Sequence, residues 1–197
     1  MIVMPAPPTA AKDVLRRDVL ARRDALDPAE RARAAKVIAE RGLPVLMPPG
    51  AVVSGFMPIR SEINPLPLMR RLMDLGARLA LPVVAGRGLP LAFRGWAPGD
   101  ELLRGQMGLR EPRPDKPEVE PDIVLAPLAV FDRRGYRIGF GAGYYDMSLN
   151  ALRARRPTVA LGLAYAMQEV DTVPAEAHDA RLDFVLTERE TIVCGGS

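Results

Sequence analysis

The chain has one cysteine and one histidine among 197 residues, and these scarcities exclude whole classes of chemistry. Cys194 has no second cysteine to pair with, so no intrachain disulfide forms, and a reducing compartment is the simplest setting. Without a Cys/His cluster there is no structural zinc site. A catalytic histidine, if one is used, has to be His178. Cys194 has no neighbouring base, and none of Ser54, Ser61, Ser148 or Ser197 lies in a G-x-S-x-G elbow, so a nucleophilic triad is out as well. No apolar run approaches membrane-spanning length, and the opening MIVMPAPPTAAKD lacks the charged flank and long apolar region of a secretory signal; a cytoplasmic protein is expected. Neither sign of charge is in large excess. With 27 basic and 24 acidic residues the net charge is +3, too balanced for a dedicated nucleic-acid binder but suited to handling anionic small molecules.

What is abundant is apolar, 48% of the chain, enough for one substantial core, so residues 1–197 are expected to form a single domain with terminal or inserted elaborations. Thr9 can cap a first helix running to about Leu26. In it Ala11, Leu15, Val19 and Leu26 make an apolar stripe, Lys12, Arg16 and Arg23 gather along one border, and Arg22 falls inside the stripe. Either this is a solvated basic face whose alkyl stems cover the core, or it meets an anion. Asp27-Pro28-Ala29-Glu30 starts a second helix, ending at Gly42, with Ala32, Ala35, Ile38 and Ala39 as a close-packing stripe.

AVVSGFM then reads as a buried strand, followed by the loop PIRSEIN and a helix over 65–75 that Asn64 can cap. In an open α/β sheet such a loop is where ligand contacts lie, which points to Arg60, Ser61 and Glu62; the bland alternative for Glu62 is an acid compensating the following helix dipole. Further strands are expected at 77–84, 88–96, 122–127, 158–163 and 184–187, and the proline-rich, charged stretch 111–121 as a surface excursion.

The densest signal is residues 131–146, FDRRGYRIGFGAGYYD, where glycines at 139, 141 and 143 precede an expected helix from Tyr144 to Arg155. Alternate glycines uncover backbone N–H groups, and the start of a helix adds positive potential, so an anion would be welcome; a tight turn without bulky side chains is the alternative. It is not a Walker loop, which would end GK[ST], and its G-x-G-x-G spacing is not the dinucleotide fingerprint. The carboxylates of Asp146 and Asp179 together could hold a hydrated Mg²⁺, the alternative for Asp179 being an ordinary turn after Pro174.

In the segments KDVLRRDVLARRDAL, PIRSEIN, PLAVFDRRGYRIGFGAGYYDMSL and LGLAYAMQEVDTVPAEAHDARLDFVLT, in that order and spacing, the chain resembles the 5-formyltetrahydrofolate cyclo-ligase family, also called 5,10-methenyltetrahydrofolate synthetases. The resemblance implies an α/β fold, a mostly parallel central sheet flanked by helices, related to sugar-phosphate isomerase and CoA-transferase-like sheets. It also implies an ATP- and Mg²⁺-dependent ring closure in which a phosphorylated formyl oxygen becomes the leaving group. Carried over by position, Lys12, Asp13, Val14, Leu15 and Arg16 match the family's N-terminal nucleotide-binding segment. Arg137, Ile138, Gly139, Phe140, Gly141, Ala142, Gly143, Tyr144 and Tyr145 match its ATP loop, with Lys12 and Arg137 as the catalytic cations. Met57 and Glu62 match substrate-contacting positions, and Asp146 with Asp179 the metal positions. Some members carry a lysine where this chain has Ala142 and an arginine where it has Met147. A monomer acting on a small molecule is expected. The competing readings are a sugar-phosphate isomerase or acyl-CoA transferase on a similar sheet, which would need no ATP, and a non-catalytic module gripping RNA with its basic helix, for which no aromatic platform is evident.

Overall fold

In the computed structural model, which describes residues 8–195, the helices and strands follow one another as α1 Pro8–Asp24, α2 Pro28–Arg41, β1 Val52–Ser54, α3 Leu66–Asp74, β2 Arg78–Val83 and β3 Ala92–Gly95. Then come β4 Leu102–Arg104, β5 Arg110–Pro112, β6 Ile123–Pro127, β7 Val130–Phe131, β8 Arg137–Ile138, α4 Tyr144–Arg153, β9 Val159–Leu163, β10 Phe184–Leu186 and β11 Thr191–Val193. Ser197 and the first residues of the opening segment lie outside the described residues.

Seven strands form the central sheet in the order β11-β10-β9-β6-β1-β2-β3. The five inner strands are parallel, and β3 and β11 are antiparallel edges. The inner strands read as unbroken apolar runs because both faces are covered, and alternation sorts each run between two cores. Ile123 and Leu125 of β6 face the side covered by α2 and α3, with Ile38, Leu68, Met69 and Leu72. Val124 and Ala126 face α4, with Leu149 and Leu152. The mostly parallel α/β sheet expected from the sequence is the one observed.

From β1 the chain steps first to β2 on one side, and only later to β6, β9 and β10 on the other. The loops leaving β1 and β6 therefore diverge and open a crevice at their carboxyl ends, the place where open α/β sheets bind ligands.

Local signals set both ends of α2. Asp27 caps α2 through Ala29 N at 2.7 Å, and Gly42, at φ 76°, ends it. Asn64 Oδ1 accepts from Leu66 N at 3.0 Å at the start of α3. Four expectations shift. The first helix begins at Pro8, so Thr9 sits inside its first turn, and the helix stops at Asp24. Its packed face is turned towards the cationic border: Val19 and Arg23 are buried while Arg22 is exposed, because Arg23 finds acceptors inside and Arg22 reaches Met167 O at the surface. In α2 it is Ala34, not Ala32, that joins Ala35, Ile38 and Ala39 in the buried stripe. The 111–121 excursion gives up Glu111 and Pro112 to β5, which pairs with β4 as a separate hairpin. The edge strand β11 had no reading in the sequence; its short TIV run pairs only with β10.

Candidate active site

Two loops shape the crevice. After β1 comes a turn closed in both directions, with Glu62 N donating to Ile59 O at 3.1 Å and Ile59 N donating to Glu62 Oε2 at 2.8 Å. Within it Arg60 takes φ 54°, the one non-glycine with positive φ among the described residues, a conformation costing about 1–2 kcal/mol. Ser61 donates to the Asp24 carboxylate and accepts from Arg23 Nε at 3.0 Å, stitching the end of α1 to this loop.

After β6, the β7–β8 hairpin is organised by Asp132, which is fully buried and accepts from the N–H groups of Arg134, Tyr136 and Val173 at 3.0, 3.2 and 2.9 Å. The hairpin delivers Arg137, whose buried guanidinium donates to Ala180 O at 2.5 Å and to Asp146 Oδ1 at 3.0 Å. Asp146 Oδ1 also accepts from Ala180 N at 3.0 Å. Gly141 at φ 101° and Gly143 at φ 66° then carry the backbone through left-handed turns that a side chain would strain. Gly143 is the cap of α4 and no side chain caps that helix, so backbone and helix dipole, not a side chain, supply the positive end of this wall.

Between the loops lies a cavity of about 430 Å³. Phe56, Met57, Val84, Leu91 and Leu109 give it an apolar lining, Glu62, Arg137 and Asp146 contribute charged groups, and Gly139, Phe140, Ala142 and Gly143 bring the glycine loop to its edge. Glu62 is only 8% exposed. Burial pushes its carboxyl up to about 7, against the opposing pull of the Ile59 N–H and the Arg23 charge. Its carboxylate turns back to Ile59 N, while α3 starts four residues later, so compensation of the α3 dipole does not account for it. Burial likewise pushes the Tyr145 phenol up, and it pulls the Arg137 guanidinium down against the charge of Asp146.

The first helix lies against the outside of the glycine loop. Arg16 Nε donates to Gly139 O at 2.7 Å and pairs with Asp13. Lys12 Nζ lies 2.7 Å from Asp179 Oδ2 and 2.9 Å from Glu176 Oε2. Partial burial would lower its pKa, but the two carboxylates outweigh that and raise it. None of Lys12, Asp13, Val14, Leu15, Arg16 or Asp179 lines the cavity. Val14 is exposed, and Leu15 packs beside Val19 and Ile138 in a third apolar cluster. Glu176, His178 and Asp179 have ligand atoms within 4.8 Å of one another, but the Lys12 ammonium already sits on two of them. Asp179 is a turn residue, closing with Glu176 through Asp179 N to Glu176 O at 3.0 Å and Glu176 N to Asp179 Oδ2 at 2.9 Å, and it also ties the 174–180 segment to α1.

Sequence reasoning did not single out Phe56, Leu109 or Arg110 for the cavity, and it placed Arg23 on the cationic border of the first helix, solvated or facing an anion, whereas Arg23 is buried. A buried cation next to Ser61 and an aromatic after a strand are not visible as a pattern, because the residues that meet them come from distant segments.

The 5-formyltetrahydrofolate cyclo-ligase family model matches residues 8–188. The 5-formyltetrahydrofolate cyclo-ligase of Mycolicibacterium smegmatis is 37% identical, covering 73% of this chain and 77% of the relative. That of Escherichia coli K12 is 32% identical, over 84% and 94%. Among solved structures, the 5,10-methenyltetrahydrofolate synthetase of Aquifex aeolicus superposes with a TM-score of 0.77 at 29% identity, covering 94% of each chain.

Proposed function

The chain belongs to the 5-formyltetrahydrofolate cyclo-ligase family, and from that premise we propose that the two walls of the cavity divide the substrates, the glycine loop taking the nucleotide and the β1–α3 loop the folate. The protein is an ATP-dependent ligase that converts 5-formyltetrahydrofolate to 5,10-methenyltetrahydrofolate. Membership sets aside both the isomerase or transferase reading and the RNA-binding module.

The observation that carries the division is that one cavity brings Glu62, held near neutrality by burial, together with Arg137, Asp146 and the glycine loop. A buried carboxyl in an apolar lining is suited to the N–H donors of a pterin ring, with Met57 and Phe56 against its faces. An amide-like formyl oxygen is a poor leaving group. Transfer of the γ-phosphoryl of ATP to that oxygen makes it a good one; the second folate nitrogen then attacks the formyl carbon and gives up its proton to solvent, the carbon–oxygen bond breaks, and ADP and phosphate are released. Such transfer needs positioning and charge neutralisation more than a base. Arg137, Arg16 and the loop amides supply these, and Lys12 reaches the phosphates by exchanging its carboxylate partners for them.

Mg²⁺ fits one carboxylate here well, since magnesium is commonly held by one or two acids together with substrate phosphates. Asp146 lines the cavity with its Oδ2 outside the bonds made by Oδ1, and Asp179, the residue before Ala180, would add its Oδ1. When bound, the ion would neutralise phosphate charge. The cavity is closed by elements of one chain, so we take the chain as a single domain acting as a monomer, and the lone cysteine keeps a cytoplasmic setting the simplest one. Among the described residues no helix is long and apolar enough to cross a membrane.

The test is to mix purified protein with 5-formyltetrahydrofolate and MgATP and follow methenyl-folate absorbance. ATP-dependent product is expected, and its absence would overturn the reading. Asp146→Asn should move the magnesium titration to higher concentration; an unchanged titration removes Asp146 from the metal site.

A further inference from the structure

Resting on the folate reading above, we propose that Arg23 and Phe140 form a latch between the two walls of the cavity, so that folate and nucleotide each tighten the binding of the other. The helix α1 touches both loops. On the glycine side Arg16 Nε holds Gly139 O at 2.7 Å, and two turns further along the Arg23 guanidinium lies over the Phe140 ring, 5.8 Å from its centre. Residues at that spacing share a helix face, so one face of α1 meets two successive residues of the loop. On the other side Arg23 Nε donates to Ser61 Oγ at 3.0 Å, and the same hydroxyl donates to the Asp24 carboxylate.

The two halves of the latch are unequal. Arg23 is only 2% exposed, and its Nη1 also reaches Leu128 O at 3.5 Å, so its head is fixed from several directions. Phe140 is 52% exposed and stands between Gly139 and Gly141, the latter at φ 101°. Glycine neighbours restrict the backbone little, so the position of the ring depends on what it leans against. A half-solvated ring against a guanidinium is a contact of modest strength, which the loop can break and remake as ligands come and go.

Arg23 and Phe140 both line the cavity, as does Glu62, whose charge acts on Arg23. Without folate, burial holds Glu62 near neutrality. The N–H donors of a bound pterin ring favour its carboxylate form, and the added negative charge holds the Arg23 guanidinium more firmly against the Phe140 ring and Ser61. The glycine loop is then ordered before the nucleotide arrives, and nucleotide binding no longer includes that ordering. Coupling between two sites is reciprocal, so a nucleotide that fixes the loop first favours folate by the same factor. Arg23 is on this account a positioning residue: it acts on the nucleotide through Phe140 and on the folate through Glu62 and Ser61.

Isothermal titration calorimetry with the magnesium complex of β,γ-methylene-ATP, which cannot transfer its terminal phosphoryl group, reads the coupling without turnover. In the wild type its Kd should fall about 5-fold when 5-formyltetrahydrofolate is present at saturation, the scale of one cation–π contact. Phe140→Leu keeps an apolar side chain in the exposed loop but removes the ring face, and Arg23→Met keeps the stem but removes the charge. In each, the Kd values with and without folate should become equal, and the double variant should lose no more coupling than either. A side chain that only touches the nucleotide, or only supports the fold, would change both Kd values alike and leave their ratio as in the wild type. That result overturns the latch, as do equal Kd values in the wild type. If Arg23→Met does not fold, Phe140→Leu decides alone. Failure of the wild type to form any ATP-dependent methenyl product is a separate result, seen first in the absorbance assay: it overturns the ligase reading and the latch with it.

Discussion

The two walls of the cavity treat buried charge in opposite ways. On the glycine wall the Arg137 guanidinium is met within the same wall, by Asp146 and Ala180 O, and the carboxylate is met in turn by Ala180 N. On the opposite wall Glu62 is nearly as buried, yet it has one backbone N–H and only the through-space pull of Arg23, and its carboxyl rises to about 7. The first arrangement is electrically complete before any ligand arrives, so it can hold the loop in shape. The second is left short of donors, so a ligand that brings N–H groups gains more there than it would in water.

The largest effect should come from opening the complete wall. Arg137→Ala leaves Asp146 without its cation and Ala180 O without its donor, and breaking such a pair costs about 3–5 kcal/mol; urea denaturation should show a loss of that order beside impaired nucleotide use. A loss well under 1 kcal/mol would mean the wall is not held together by this pair.

Glu62→Gln breaks the incomplete wall and should do the reverse to stability. An acid whose folded pKa lies above its ordinary value favours folding below that ordinary value and loses the advantage as pH rises through the folded pKa. For Glu62 stability therefore falls between about 4.5 and about 7, by at most about 3 kcal/mol. The variant should flatten this slope in melts taken from pH 5 to pH 8, and raise KM for 5-formyltetrahydrofolate about 10- to 100-fold with little change for ATP. A variant less stable than the wild type at pH 8 would show that Glu62 is compensated after all.

Lys12→Ala should be milder. On the proposed reading its ammonium reaches the phosphates from outside the cavity, so KM for ATP should rise about 10-fold, the value of one charge-assisted contact, while folate KM holds; equal effects on both substrates would blur the division of the walls. Least of all, Gly141→Ala adds a Cβ that meets only the tip of Arg16 at 4.0 Å, so its cost is the backbone strain at φ 101°, about 1–2 kcal/mol by thermal melt. A neutral result would mean that the loop relaxes without a ligand.

The glycine wall was far more legible in the sequence than its partner. RIGFGAGYYD carries its arginine, its glycines, its helix start and its acid in ten consecutive residues, so local chemistry is enough to find it. The wall of Glu62 was legible only as a loop after a strand, where ligand contacts are expected, because Glu62 also reads as an acid before a helix until Phe56, Arg23 and Tyr145 close round it. Arg110 could not be found at all: its stretch is proline-rich and charged, and only the Glu111 bond to Val84 N brings it over the crevice.

By itself the sequence determined the elements whose causes are neighbours along the chain: the Asp27 cap, the Gly42 stop, the apolar runs of the parallel strands and the loop before α4. The tertiary structure decided what depends on partners far away in sequence. The phase of α1 turned on whether Arg22 or Arg23 met Ser61 and Leu128 O, and Lys12 found Asp179 across 167 residues. The ionisation of Glu62 turned on how much water the opposite loop excludes. Propensity and capping act over a few residues, whereas burial and charge pairing are properties of the space that folding encloses.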